Sequence, residues 1–184
     1  MTVGLLVAAY LAAANVARTR LGVPEDAAHR ARPAVLAGGA VIALGVVAGL
    51  AALSGPLLRS LEITTETFRI AAGFTAAIAA AVVLAVPRPA AEPVPRGWRA
   101  AVWPVAFPHL LGPEVLVLAV ATGSQEGVGL TLAGAGTALA VLMALGFLPR
   151  RPLPDRVLVW APRVLGAVLL SSGIWLAVDG IRDV

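Results

Sequence analysis

Apolar residues along this chain come in long unbroken runs, without the three-and-four spacing of an amphipathic helix or the alternation of a half-buried strand. Six runs reach or approach the roughly 20 helical residues that cross a hydrocarbon core. They are 1–17, 33–58, 67–87, 100–125, 127–149 and 157–180, and polar residues are confined largely to the gaps. The pattern predicts an all-α integral membrane protein of six transmembrane helices, a single domain over 1–184. The first run has no basic residue before it and Arg18 and Arg20 behind it. That order is wrong for a cleaved signal peptide, so a mature span is predicted.

The gap PRPAAEPVPRG, residues 87–97, holds four prolines and cannot continue a helix. It divides the chain into a first half (1–87), a proline-rich cytoplasmic loop (88–99) and a second half (100–184). Three spans per half give the halves opposite orientations, the geometry of a 3+3 inverted repeat. FRIAAG around Arg69 and PRVLG around Arg163 each open the third span of their half and form a faint internal echo.

Composition agrees with this reading and adds an orientation. The chain is 59% hydrophobic and 13% charged, against about a quarter charged in soluble domains. All 14 basic residues are arginine. Ten of them (Arg18, Arg20, Arg30, Arg32, Arg88, Arg96, Arg99, Arg150, Arg151 and Arg156) fall in alternate gaps; Arg59, Arg69 and Arg182 lie on the other face. The positive-inside rule then predicts a multi-pass plasma (inner) membrane protein with both termini external. Trp98, Trp103 and Trp160 fall near span ends on the cytoplasmic side, as an aromatic belt requires. A pI near 11.2 would suggest nucleic acid for a soluble chain, but arginines between apolar runs without interleaved aromatics set topology, and no nucleic-acid partner is predicted. The absence of cysteine excludes disulfides and thiolate chemistry. Imidazole comes only from His29 and His109, so neither a metal nor a cofactor is predicted. Ser54, Ser171 and Ser172 have no histidine at an evident spacing, which argues against a hydrolase.

The chemistry concentrates in PVAFPHLLGPE, residues 104–114, inside the fourth span. Pro104, Pro108 and Pro113 each remove an amide donor and displace the carbonyl four residues earlier; Gly112 adds permissive backbone. The fourth helix is therefore predicted to break near 108–113, with a new half-helix starting at Pro113. Freed carbonyls suit a cation and a half-helix N-terminus suits a carboxylate, the pairing that secondary transporters use at mid-membrane. Glu114 lies near the middle of the span, where an exposed, ionised acid costs about 2.5–3.5 kcal/mol on insertion scales, so it is predicted to face the interior. It either couples protons or binds a substrate amine, or it caps its own half-helix. His109 either pairs with Glu114 or caps freed backbone.

Three further features are read structurally. Arg69 and Asp179 sit at the external ends of their spans and can form an ion pair or gate there, or snorkel to water. Asn15 suits an interhelical hydrogen bond. Gly45 and Gly49 form a GxxxG pair, read as a contact inside the bundle in preference to a homo-oligomer interface.

FRIAAG (68–73), VWPVAFPHLLGPE (102–114) and RVLGAVLLSSGIWLAVDGI (163–181) resemble segments of the MarC family, within the LysE-like group of six-helix membrane proteins. The family shows F-R-I-A-G-G, a P-L-A-I-P-L-L-A-G-P-G run and a closing helix ending in D-G-I. The resemblance implies the six-helix inverted repeat and transport of small neutral amino acids. Two departures stand out. The family's Asn-Pro-x-Gly break in the first span is missing, since residues 5–21 lack proline and glycine, so that helix is predicted to run unbroken. The last glycine of Gly-Pro-Gly is Glu114 here. The function predicted is a secondary transporter or exporter of a small solute through a site at Pro104, Pro108, His109, Gly112, Pro113 and Glu114. The alternative is a non-transporting membrane subunit or scaffold with the same fold.

Overall fold

A computed structural model describes residues 3–14, 32–85, 98–147 and 155–184. These form α1 (Val3–Ala14), α2 (Arg32–Ser60), α3 (Thr65–Ala85), α4 (Ala101–Leu110), α5 (Pro113–Phe147) and α6 (Asp155–Arg182). No strand occurs among the described residues. Stretches of α2, α3, α5 and α6 are long and apolar enough to cross a membrane, which makes this an all-α membrane protein. Asn15 and the loop 88–99, save Trp98 and Arg99, lie outside the described residues.

Side-chain sizes sort as lipid demands. The core is largely alanine with leucine and valine, whereas Val41, Phe74, Ile78 and Val164 are more than half exposed on the perimeter. With apolar solvent outside, burial of apolar surface drives little; close backbone approach between small residues does the packing.

The α2–α3 connection is fully capped. Ile63 N–H donates to Leu58 O and Glu62 N–H to Arg59 O, while Glu62 takes φ 55°. This is a Schellman motif with a left-handed residue at its usual position. Thr64 then accepts the Thr67 amide on its Oγ1 at 3.2 Å and caps α3.

α5 is one element by hydrogen bonding and two by shape. At Gly127 the backbone takes φ 83°, ψ 167°, a conformation open to glycine and few others. The chain reverses there: Thr131 Oγ1 lies 3.2 Å from Thr122 Oγ1, a separation impossible across nine residues of straight helix at 1.5 Å per residue. Val115 and Leu139 accordingly line one cavity. α5 is thus a hairpin of two antiparallel arms, before and after Gly127.

Two packing groups result. In one, α1 lies against the second arm, with Leu6 on Gly134, and α2 lies against α4 and the first arm, with Gly39 on Val105 and Gly123 on Ala51. In the other, α3 packs antiparallel on α6 through Gly166, Gly173 and Gly180, which meet Leu84, the Gly73–Ala77 turn and Ile70 in order. A Cβ built on Gly73 would lie 2.5 Å from Gly173 O, and one on Gly173 would lie 2.7 Å from Gly73 O. The contact is reciprocal, backbone on backbone.

The GxxxG reading needs correction. Gly45 and Gly49 have nothing within 4 Å of where a Cβ would stand, and both are exposed on the outer face of α2. The sequence spacing was right for a helix contact, but the bundle uses Gly38 and Gly39 on another face of the same helix.

Candidate functional site

The fourth span is irregular over a longer stretch than the expected 108–113. Trp103 (φ −130°, ψ 121°) and Phe107 (φ −117°, ψ 131°) are extended inside α4. Each precedes a proline, Pro104 and Pro108, and a residue before proline is pushed out of the helical region by the ring's Cδ. Between them the chain makes wide turns, closing with Leu111 N–H donating to Ala106 O, five residues back, at 2.8 Å. The helical ladder then stops at Leu111 and Gly112 and restarts at Pro113. Val115 and Leu116 N–H both donate to Gly112 O, at 3.0 and 3.2 Å. The break therefore lies at the Gly-Pro step, and α1 runs without interruption from Val3 to Ala14.

Glu114 is 8% exposed and its carboxylate folds back over Gly112, where any Cβ would overlap it. Glycine at 112 is a steric requirement of that placement. The amides of Val115 and Leu116 already have the Gly112 carbonyl as partner, so the carboxylate is not needed to cap them. His109 is half-buried one turn upstream; Pro108 and Pro113 are exposed on the outer side of the segment, and Gly112 is buried. The predicted site residues fall within one eleven-residue stretch, and Pro108, His109, Gly112, Pro113 and Glu114 do not line the cavity beside it.

A small cavity lies beside the break. It is about 10 Å³ and is lined by Tyr10, Ala14, Ala43, Val47, Leu110, Val115, Ala135, Ala138 and Leu139. That volume holds a single water at most. Eight of the nine lining residues are apolar, and neither Gly112 nor Glu114, where the sequence suggests a wet, solute-sized chamber, is among them. Leu110 and Val115 flank the break and bring the cavity to it. Among the described residues no group of three acidic or imidazole side chains gathers at metal-binding range.

Tyr10 is the polar member of that lining, and it continues into a file of buried hydroxyls. Its Oη lies 3.0 Å from Thr122 Oγ1. Thr131 Oγ1 reaches Thr122 Oγ1 at 3.2 Å and Gly127 O at 3.0 Å. Tyr10 is 3% exposed and both threonines 0%. Sequence reading missed all three, because residues 112 positions apart in an apolar chain leave no local pattern.

The second polar cluster joins α3 to α6. Arg69 is 3% exposed; its guanidinium lies 3.5 Å from Asp179 Oδ2 and also holds Asp183. Its Nε has no hydrogen-bond partner among the described residues. The structure thus brings together Arg69 and Asp179 and adds Asp183, a terminal acid that the spans gave no reason to include. Each charge sits at the unfavourable end of its own helix dipole, a cation early in α3 and acids late in α6. Antiparallel packing sets each beside the complementary end of the neighbour.

No family model, no curated protein and no solved structure matches this chain.

Proposed function

We propose that the protein is a multi-pass secondary transporter of a small solute in the plasma membrane, with its site at the α4–α5 break. The observation that carries this reading is Glu114: a carboxylate 8% exposed, placed at a Gly-Pro discontinuity in the middle of an apolar span. A buried acid inside a membrane is expensive and marks an ion or substrate pathway by default. The small apolar cavity corresponds in this reading to a closed, occluded conformation.

In the proposed architecture six segments cross the membrane as a 3+3 inverted repeat, with the two arms of α5 counted separately. The contacts between α3 and α6 favour it, because they exchange under a two-fold operation: Gly73 meets Ala177 while Gly173 meets Ala77. The register they suggest pairs Gly73 with Gly173, not Arg69 with Arg163 as the sequence echo does. Both termini and the Gly127 turn are external in this scheme, by the ten-to-three arginine asymmetry. Membrane-impermeant labelling should modify single cysteines at Thr2 and Gln125 and spare Ala91; the reverse pattern would overturn the orientation. A MarC-like relationship and small neutral amino acids as substrates follow only from the motif resemblance.

A thermal-shift screen of purified protein against amino acids and other small metabolites tests the function, since a ligand that binds the native state raises apparent stability. Glu114→Gln should abolish the stabilising ligand's effect while leaving the fold intact, and Glu114→Gly should change ligand preference. The small, largely apolar cavity favours a second reading, a non-transporting membrane subunit. A screen without any stabilising solute, together with a Glu114→Gln protein indistinguishable from wild type, would select that one.

A further inference from the structure

A guanidinium that is 3% exposed ordinarily has all its donors engaged, because an unmet charged donor away from water is costly. Arg69 does not. The donors of an arginine form two forks, and a carboxylate can lie against either with two parallel bonds. On the end fork, Nη1 lies 3.5 Å from Asp179 Oδ2, longer than the about 2.7–2.9 Å of a charge-assisted bond. The side fork pairs Nε with Nη2. Nη2 donates to Asp183 Oδ2, and Nε, on the same edge, has no partner among the described residues. Asp183 thus fills half of a two-donor edge with one oxygen. The main chain sets that reach, since Asp183 is tethered one residue beyond the end of α6. It is also the exposed member of the cluster, at 53% against 29% for Asp179. Residues 181–184 are all exposed, and the last two lie outside the helix. Asp183 can therefore turn to water without breaking a helical hydrogen bond, and its departure uncovers the Arg69 edge.

We propose that the Nε–Nη2 edge of Arg69 is a binding site for the carboxylate of a small solute, filled in this structure by Asp183 as an internal stand-in. A free carboxylate has no tether, so it can meet both donors at once and make two parallel charge-assisted bonds where Asp183 makes one. The exchange puts one carboxylate in place of another. The charge beside Arg69 is unchanged, and Asp183 carries its own charge into water. Asp179 stays on the far fork and keeps the guanidinium in place. The binding follows from donor geometry and stands whether or not the chain transports. Its role in transport, to hold a carboxylate-bearing solute first at the external end of the α3–α6 seam, rests on the transport reading above and its orientation.

Chemical rescue of the purified full chain tests the site. Thermal midpoints are followed against sodium acetate, with sodium chloride at matched ionic strength as the reference, since a ligand of the native state raises apparent stability. Wild type should show a saturable rise in acetate over chloride. Asp183→Ala should melt lower, and acetate should restore it. Half-saturation should need roughly tenfold less acetate than wild type, because an internal competitor that fills a site about nine-tenths of the time weakens apparent binding by about that factor. Arg69→Met should show no difference between the two salts. Arg69→Lys keeps the charge and removes the planar edge, so it should lose most of the difference too, which general screening of a cation does not produce. Asp183→Asn takes the place of the alanine variant if that one does not fold, and Arg69→Lys that of Arg69→Met. A folded Asp183 variant indifferent to acetate would overturn the site, as would an acetate effect that survives without Arg69. So would a wild type unmoved at roughly a hundredfold the acetate that saturates Asp183→Ala, since Asp183 is then a permanent partner and no stand-in. A solute shift that Arg69→Met removes and Glu114→Gln keeps belongs to this site, and the opposite pattern belongs to the α4–α5 break, so either reading can fail alone.

Discussion

The α3–α6 seam and the α4–α5 break both depend on glycine, used in opposite ways. Along the seam, Gly166, Gly173 and Gly180 repeat every seven residues and let two unbroken helices touch backbone to backbone. At the break, Gly112 and three prolines interrupt the ladder, and the space gained admits a carboxylate. Glycine that faces a neighbouring helix stiffens the fold. Glycine next to proline, inside a span, opens a place for chemistry. The lesson is that the partner of a glycine, not its presence, decides which role it plays.

The seam should be the less forgiving region. Gly173→Leu would drive a side chain into Gly73 O and Ala77 N, which lie 2.7 and 2.9 Å from an ideal Cβ. Backbone cannot yield as a side-chain tip can, so no monodisperse folded protein is expected by size-exclusion chromatography. Gly173→Ala should still fold, with a loss of about 1–3 kcal/mol typical of overpacking, read from denaturant titration in mild detergent. A fully tolerated leucine would mean that α3 and α6 are not held in this register.

Next in size is the charge cluster that closes the seam. Replacing both Asp179 and Asp183 by asparagine strands the buried Arg69 guanidinium. Loss of a fully buried partner costs about 3–5 kcal/mol; here the acids are 29% and 53% exposed, so a value nearer 2 kcal/mol is expected. Arg69→Met should cost less than the double replacement, because the two acids left behind can reach water. Equal costs would argue that the cluster is held by packing instead of charge.

The break should respond differently, with small changes in stability and large ones in function. Pro104→Ala and Pro108→Ala restore amide donors and release Trp103 and Phe107 from their extended conformations. Stability should move by about 1 kcal/mol or less, since the proline's entropic benefit and the regained hydrogen bonds offset each other. Amide exchange at Phe107 and Trp103 should slow, and any solute-dependent thermal shift should vanish. Exchange that does not slow would show that tertiary contacts, such as Gly39 on Val105, impose the irregular backbone without help from the prolines.

Sequence made the break legible and left the seam nearly invisible. Proline chemistry is local, so residues 104–114 announced a discontinuity and Pro113 gave its restart. The extended backbone at Trp103 and Phe107 was not anticipated, although it obeys the same chemistry, applied to the residue ahead of each proline. Span ends were also readable: α2 covers Arg32–Ser60 against 33–58, and the reversal at Gly127 falls where one apolar run gives way to the next. Long-range pairing beyond that of Arg69 with Asp179 was not readable. The seven-residue glycine spacing of α6 was a signal available in the sequence, but nothing local tied it to Gly73. The hydroxyl file joins α1 to both arms of α5, and single polar residues in three apolar runs carry no mark of their neighbours. Glu114 was expected inside the protein, but its place over Gly112 depends on a backbone path that only the structure supplies.

The smallest expected effect lies on a pair of glycines that neither region uses. Gly45 and Gly49 face outward with nothing within 4 Å of a built Cβ, and Val41 and Leu53, one turn to either side, are 71% and 60% exposed. If lipid covers this face, alanine at either position meets no obstacle and removes the helix-weakening freedom of glycine. Each substitution should then stabilise the protein by up to about 1 kcal/mol, the glycine–alanine difference in a helix interior. The contrast with Gly173→Ala is a change of sign for the same added methyl. Denaturant titration of Gly45→Ala, Gly49→Ala and Gly173→Ala in one detergent measures it directly. A clear destabilisation at Gly45 or Gly49, accompanied by a smaller particle in size-exclusion chromatography, would show that a second copy of the chain covers this face. The outer surface of α2 would then join the seam as a close-packed contact.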